Sequence, residues 1–147
     1  MVYVKTGTKP DAGTDSIISV ALLDAENNVF MIDNLETWGG LMGPGHDYFE
    51  AGNLDIFSGR GSCLATPVCL MSLMSGGTDN MRGWYADYVE VFTTKVQSQC
   101  AHEHFMVDEW LALDEPPHAF IVIRDKCVFS KKNQTMNSSD VSLSSIV

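Results

Sequence analysis

Basic residues are scarce in this chain: nine Lys and Arg stand against nineteen Asp and Glu over 147 residues, a formal charge of −10. That balance excludes a nucleic-acid interface, on which Lys and Arg must neutralise phosphates. It equally excludes capture by an anionic membrane through charge alone. The plainest role of the acidity is solubility. Long apolar runs are also missing, so no transmembrane segment and no signal peptide can be read. There is no Gly-x-Ser-x-Gly nucleophile turn and no phosphate-cradling glycine loop, and Gly59-Arg60-Gly61-Ser62 is short enough to be a β-turn. The cysteines show no CxxC spacing, which removes the usual structural zinc patterns.

What is present is an ordinary globular composition, 45% hydrophobic and 19% charged, in a length that makes one domain with a proper core. Cys63, Cys69, Cys100 and Cys127 allow three full pairings. Disulfides are the expected use of these thiols in an oxidising compartment. Two glycosylation sequons, Asn133-Gln-Thr and Asn137-Ser-Ser, point the same way. Met1 leads straight into Val2-Tyr3-Val4-Lys5, which reads as a strand already under way. A chain that opens in this way is expected to be the trimmed form of a longer one.

Short apolar runs separated by Gly, Pro, Asn and Asp clusters predict an antiparallel β-sandwich. Strands are expected at Val2–Thr6, Ser16–Asp24, Val29–Ile32, Asn53–Ser58, Val68–Met74, Trp84–Phe92, Cys100–Val107 and Ala119–Arg124. Ser16–Asp24 is apolar on both faces. Val107–Leu113 reads as one or two helical turns capped by Asp108 and ended by Pro116-Pro117. A long Gly-rich stretch, Asn34–Gly52, is expected to be functional or pinned by its own aromatics. The domain is expected over residues 1–127, with 128–147 a polar disordered tail.

Three constellations carry chemistry. Asp11 and Asp15 flank Gly13 on a loop, and clustered oxygens on a tight turn suit a hard cation such as calcium. The ordinary alternative is a polar turn. Trp38, Leu41, Met42 and Phe49 in the Gly-rich stretch form either an apolar tip for a bilayer interface or a loop pinned to the sandwich edge. Cys100, His102 and His104 alternate on one strand face around Glu103, a pattern for copper, zinc or proton transfer, or simply a solvated face. The methionines, Met31, Met71 and Met74 among them, are expected to fill core gaps.

Several fragments occur in one order: Val2-Tyr3-Val4-Lys5-Thr6-Gly7, Ala12-Gly13-Thr14-Asp15-Ser16, Tyr48-Phe49-Glu50-Ala51-Gly52-Asn53-Leu54-Asp55-Ile56-Phe57 and Gly83-Trp84-Tyr85. Together they resemble the PLAT domain, named for polycystin, lipoxygenase and alpha-toxin, over roughly residues 2–127. Trp38–Asp47, Asn53–Gly61 and Val107–Leu113 are similar to the plant stand-alone, stress-associated members. The resemblance implies an eight-stranded sandwich of two four-stranded sheets, C2-like in shape. It implies binding rather than catalysis: docking to a lipid or membrane surface or a partner protein, often with calcium in the end loops. It also implies a signal peptide, passage through the endoplasmic reticulum or to the extracellular space, and a further cysteine before the first strand.

Carried over residue by residue, the family's calcium site falls on Asp11, the Gly13 carbonyl, Thr14 and Asp15 in the first loop. The second loop offers His46, Asp47 or the Glu50 region. In the third, calcium-binding relatives place an acid just before the Trp84 equivalent; here Arg82-Gly83 stands there, with Asp79 three residues back. A rival expectation is a small plant enzyme or ligand-binding catalyst on this scaffold, with His46, Asp47, His102, Glu103 and His104 as acid–base groups and the Gly-rich loop over a pocket.

Overall fold

A computed structural model describes residues 1–96 and 100–127. The expected tail, residues 128–147, lies outside the described residues. Eight strands appear in chain order: β1 (Val2–Thr6), β2 (Ile18–Asp24), β3 (Val29–Ile32), β4 (Leu54–Phe57), β5 (Val68–Ser75), β6 (Trp84–Thr93), β7 (Ala101–Leu111) and β8 (Ile121–Asp125). They form two antiparallel four-stranded sheets, ordered β4-β1-β6-β7 and β3-β2-β5-β8. This is the sandwich that the alternating pattern predicts.

Period-two burial places every second side chain in the space between the sheets. Val2 and Val4 of β1, Val89 and Val91 of β6 and Phe105 of β7 face Ile18, Val20 and Leu22 of β2 and Met71 and Leu73 of β5. Trp84 is fully buried, and its indole N–H donates to the equally buried Thr6 hydroxyl at 3.0 Å. The apolar second face of β2 is also accounted for. Ala21 and Leu23 line the outer face of their sheet beside Met31 and Val29 of β3.

Two elements differ from expectation. The Gly-rich stretch contains a short helix, α1 (Leu35–Gly39), whose start is capped by the Asn34 side chain accepting from the Thr37 N–H at 3.2 Å. The helix expected at Val107–Leu113 is absent: that segment continues β7 as far as Leu111. Asp108 has φ +49°, and the register slips between Ala86 and Tyr88 of the partner strand. An extra β7 residue is therefore accommodated in a bulge. The Asp108 carboxylate caps no helix but accepts from the Tyr85 hydroxyl at 2.5 Å. That hydrogen bond, burial and nearby acids push the Tyr85 phenol up to about 12.

Across the open side of the sandwich, Arg124 of β8 reaches β7. Its guanidinium donates to the carbonyls of Met106 (2.9 Å) and Val107 (2.7 Å) and pairs with Glu109 at 3.2 Å. Lys126 donates to the Glu103 carboxylate (2.8 Å) and to the His104 carbonyl.

Candidate functional site at the acidic loop end

Three connections meet at the end of the sandwich where β2 and β4 begin. The first, between β1 and β2, is pressed against the second: a Cβ on Gly13 would lie 3.1 Å from the Phe49 carbonyl oxygen and 3.2 Å from the Ala51 nitrogen. A side chain there would push the facing backbone away by a few tenths of an ångström. The Thr14 N–H donates to the same Phe49 carbonyl at 3.0 Å. The third connection, between β5 and β6, is stitched to the first. The Asp15 N–H donates to Asp79 Oδ2 (3.2 Å), the Asp79 N–H to Ser16 Oγ (3.0 Å) and the Ile17 N–H to Thr78 Oγ1 (3.3 Å).

The result is a carboxylate group. Asp15, Asp47 and Glu50 each bring an oxygen within 4.8 Å of the others. Glu50 is half-buried, and its carboxyl is raised above its ordinary value, first by burial and then by the charges of Asp47, Asp15, Asp79 and Asp55. Those charges describe a shared negative field that a divalent cation would relieve.

The predicted ligands are thus divided. Asp15 and Asp47 converge, and Asp79 stands behind Asp15 as a brace on its backbone. Thr14 is buried and its hydroxyl accepts from the Ser16 N–H at 3.0 Å, so it is used in the turn. Asp11 is exposed in a left-handed turn at φ +59° and is not in the converging group. Arg82, which stands where an acid was expected, makes no ion pair among the described residues.

His46 is held elsewhere. Its Nε2–H donates to Asp55 Oδ1 at 2.6 Å, and the other oxygen of that fully buried carboxylate accepts from the Phe49 N–H at 2.7 Å. Asp55 was passed over in the sequence, although an acid at an inward position of the apolar run Leu54–Phe57 must find donors. His46 and Asp47, adjacent in sequence, therefore serve different groups.

The expected apolar tip is not formed as a unit. Phe49 is a core residue, 3% exposed, stacked on Phe57 with ring centres 5.6 Å apart and edge-on to Trp84. Its backbone sits in the left-handed region, at φ +63°. Trp38 is half-buried against Phe30 and Gly59, its indole N–H donating to the Arg60 carbonyl at 3.2 Å. Met42 packs on the core, which leaves Leu41 alone exposed. The exposed apolar side chains of the acidic loops are instead Ile17 and Met81.

On β7, His102 and His104 do share a face, but Glu103 points the other way, to Lys126. Glu90 of β6 takes its place, 2.8 Å from His102 Nε2 and 3.4 Å from His104 Nδ1. Of the cysteines, Cys69 and Cys127 form a disulfide, whereas Cys63 and Cys100 are exposed free thiols.

A family model described as Embryo-specific protein 3 (ATS3) matches residues 1–111. Among curated proteins, PLAT domain-containing protein 2 of Arabidopsis thaliana is 48% identical over 128 residues, 87% of this chain and 70% of the relative. PLAT domain-containing protein 3 of the same plant is 51% identical over 102 residues, 69% of this chain and 98% of the relative. Among solved structures, coral 8R-lipoxygenase, described as activated by calcium through a C2-like domain, superposes with a TM-score of 0.62 at 19% identity. The match covers 94% of this chain and 20% of the lipoxygenase. A calcium-dependent 11R-lipoxygenase superposes with a TM-score of 0.58 at 17% identity, covering 95% and 20%. The chain spans about a fifth of those enzymes, and the likeness is one of fold.

Proposed function

We propose that this chain, which belongs to the PLAT-domain proteins and within them to the Embryo-specific protein 3 family, is a binding module that docks through its acidic loop end. The observation that carries the reading is the convergence of Asp15, Asp47 and Glu50 from two loops. Calcium held there would neutralise the local field and leave coordination positions for oxygens of a lipid headgroup. Ile17 and Met81, exposed on the first and third loops, would add apolar contact with the membrane interface. A partner protein presenting acidic or carbonyl oxygens would engage the same ion.

The calcium-activated lipoxygenases that share the fold support the choice of cation. Among the described residues no helix is long and apolar enough to cross a membrane. The reading includes passage through the secretory pathway, supported by the Cys69–Cys127 disulfide, and a role in stress tolerance. The catalytic alternative is less well supported, because His46 is committed to Asp55 and Glu103 to Lys126.

Calcium calorimetry on the wild type and on Asp15→Ala tests the site, followed by sedimentation with phosphatidylserine-containing vesicles. Binding of one calcium that the substitution abolishes, with calcium-dependent vesicle binding, supports the reading. Equal calcium binding by the variant would refute the site assignment.

A further inference from the structure

The outer face of the β6–β7 pair holds a second donor set, remote in chemistry from the acidic loops. His102, His104 and Met106 project from one face of β7, opposite Phe92, Glu90 and Tyr88 of β6. His104 Nδ1 lies 3.4 Å from Glu90 Oε1, and its Nε2 lies 3.1 Å from Met106 Sδ. Which nitrogen of His104 carries the proton depends on its tautomer. With the proton on Nδ1, toward Glu90, Nε2 presents its lone pair beside the thioether sulfur, and both are donors to a soft metal.

A soft cation suits that pair of donors. Thioether sulfur selects monovalent copper among common biological metals, and imidazole nitrogen suits it as well. Bond lengths of about 2.0 Å to nitrogen and 2.3 Å to sulfur, carried over from zinc sites, put the two donors of one ion roughly 3–3.6 Å apart. The observed separation is 3.1 Å. A carboxylate on the far nitrogen is the outer partner that orients a metal-bound imidazole. Glu90 is itself fixed, because His102 Nε2–H donates to its other oxygen at 2.8 Å and the His102 ring stacks on Phe92. The Tyr88 ring lies 4.8 Å from that of His104 and limits its rotation. Met106 is 56% exposed, so an ion can reach the site.

The geometry points to a monovalent copper site on the outer face of β7, with His104 Nε2 and Met106 Sδ as ligands, Glu90 orienting the imidazole, and an external donor completing the shell. The site is independent of the acidic loop end and needs no calcium.

Silver(I), a redox-inert stand-in for copper(I), tests it. The protein used is the Cys63→Ser/Cys100→Ser variant, in which thiols cannot account for binding. Titration is followed by the methyl signal of 13C-methyl-labelled Met and by the 15N signals of His. Saturable 1:1 binding that shifts the Met106 methyl and the His104 Nε2 signals is expected. Met106→Leu and His104→Gln should each weaken it at least tenfold while the far-ultraviolet spectrum is unchanged, and excess calcium should not compete. Absence of saturable binding, or binding that Met106→Leu leaves intact, would overturn the site.

Discussion

The backbone N–H of Asp15 donates to a side-chain oxygen of Asp79, 3.2 Å away and 64 residues along the chain. One acid thus holds another in position rather than merely repelling it. Asp79 fixes the loop on which Asp15 meets Asp47 and Glu50. Asp79→Ala should therefore weaken calcium binding without removing a ligand. The lost bond is exposed and costs about 0.5–1 kcal/mol of stability. A loosened loop should raise the calcium Kd by about twofold to fivefold. Calorimetry beside Asp15→Ala checks the order: a small effect for Asp79, abolition for Asp15.

Glu50 sets a pH dependence. Its carboxyl is raised above the ordinary 4.5, so the fold favours the protonated form. The stability that this contributes is present below the ordinary value and is lost as pH rises through the raised one. Without calcium, Glu50→Gln should raise the thermal midpoint at pH 7 and have little effect at pH 4. With calcium the wild type should gain and the variant should not. Melting curves at both pH values, with chelator and with calcium, make the comparison.

Asp24 sets the opposite dependence at the other end of the sandwich. Burial alone would raise its carboxyl. Hydrogen bonds from the Asn28 side chain (2.9 Å) and from the N–H groups of Asn28 (2.9 Å), Thr66 (3.2 Å) and Ala65 (2.7 Å) outweigh that and hold it at about 2. Its contribution is present above the ordinary 3.8 and is lost as pH falls through about 2. It amounts to roughly 2.5 kcal/mol. Asp24→Ala should cost about 3 kcal/mol, because it leaves several N–H groups of the 25–28 turn and the 65–66 segment without an acceptor. Urea denaturation at pH 7 and pH 3 measures both effects.

Phe49 and Leu41 separate core from surface in the Gly-rich stretch. Phe49→Ala should cost about 3–5 kcal/mol through the cavity left beside Phe57 and Trp84. Leu41→Ala should change stability by less than about 0.5 kcal/mol. Vesicle binding should respond instead to Met81→Ser, on the third acidic loop.

The strands were legible wherever alternation was unbroken, as in Val2–Thr6. The end of β7 was not, for a definite reason. The bulge residue Asp108 shifts the alternation, so that Val107, Trp110 and Leu111 fall at helical spacing although the backbone is extended. Turn composition pointed to Asp11 and Asp15, and the family resemblance to His46, Asp47 or the Glu50 region. Neither could show that Asp15, Asp47 and Glu50 converge without Asp11, because that depends on Gly13 admitting the 49–51 backbone at close range. Phe49 in a glycine-rich loop reads as part of an apolar tip, and its burial against Phe57 and Trp84 is visible only in the fold. Glu90 could be paired with the β7 histidines only once the β6–β7 register was known.

Arg124 and Lys126 occupy the carbonyl oxygens of Met106, Val107 and His104 along one border of the sandwich. Those oxygens, on the outermost strand of its sheet, are what a foreign strand would use to add itself and begin an aggregate. A chain with only nine basic residues thus spends two of them on closing a seam against self-templating. Neutralising both should leave the domain folded but prone to fibril growth along β7.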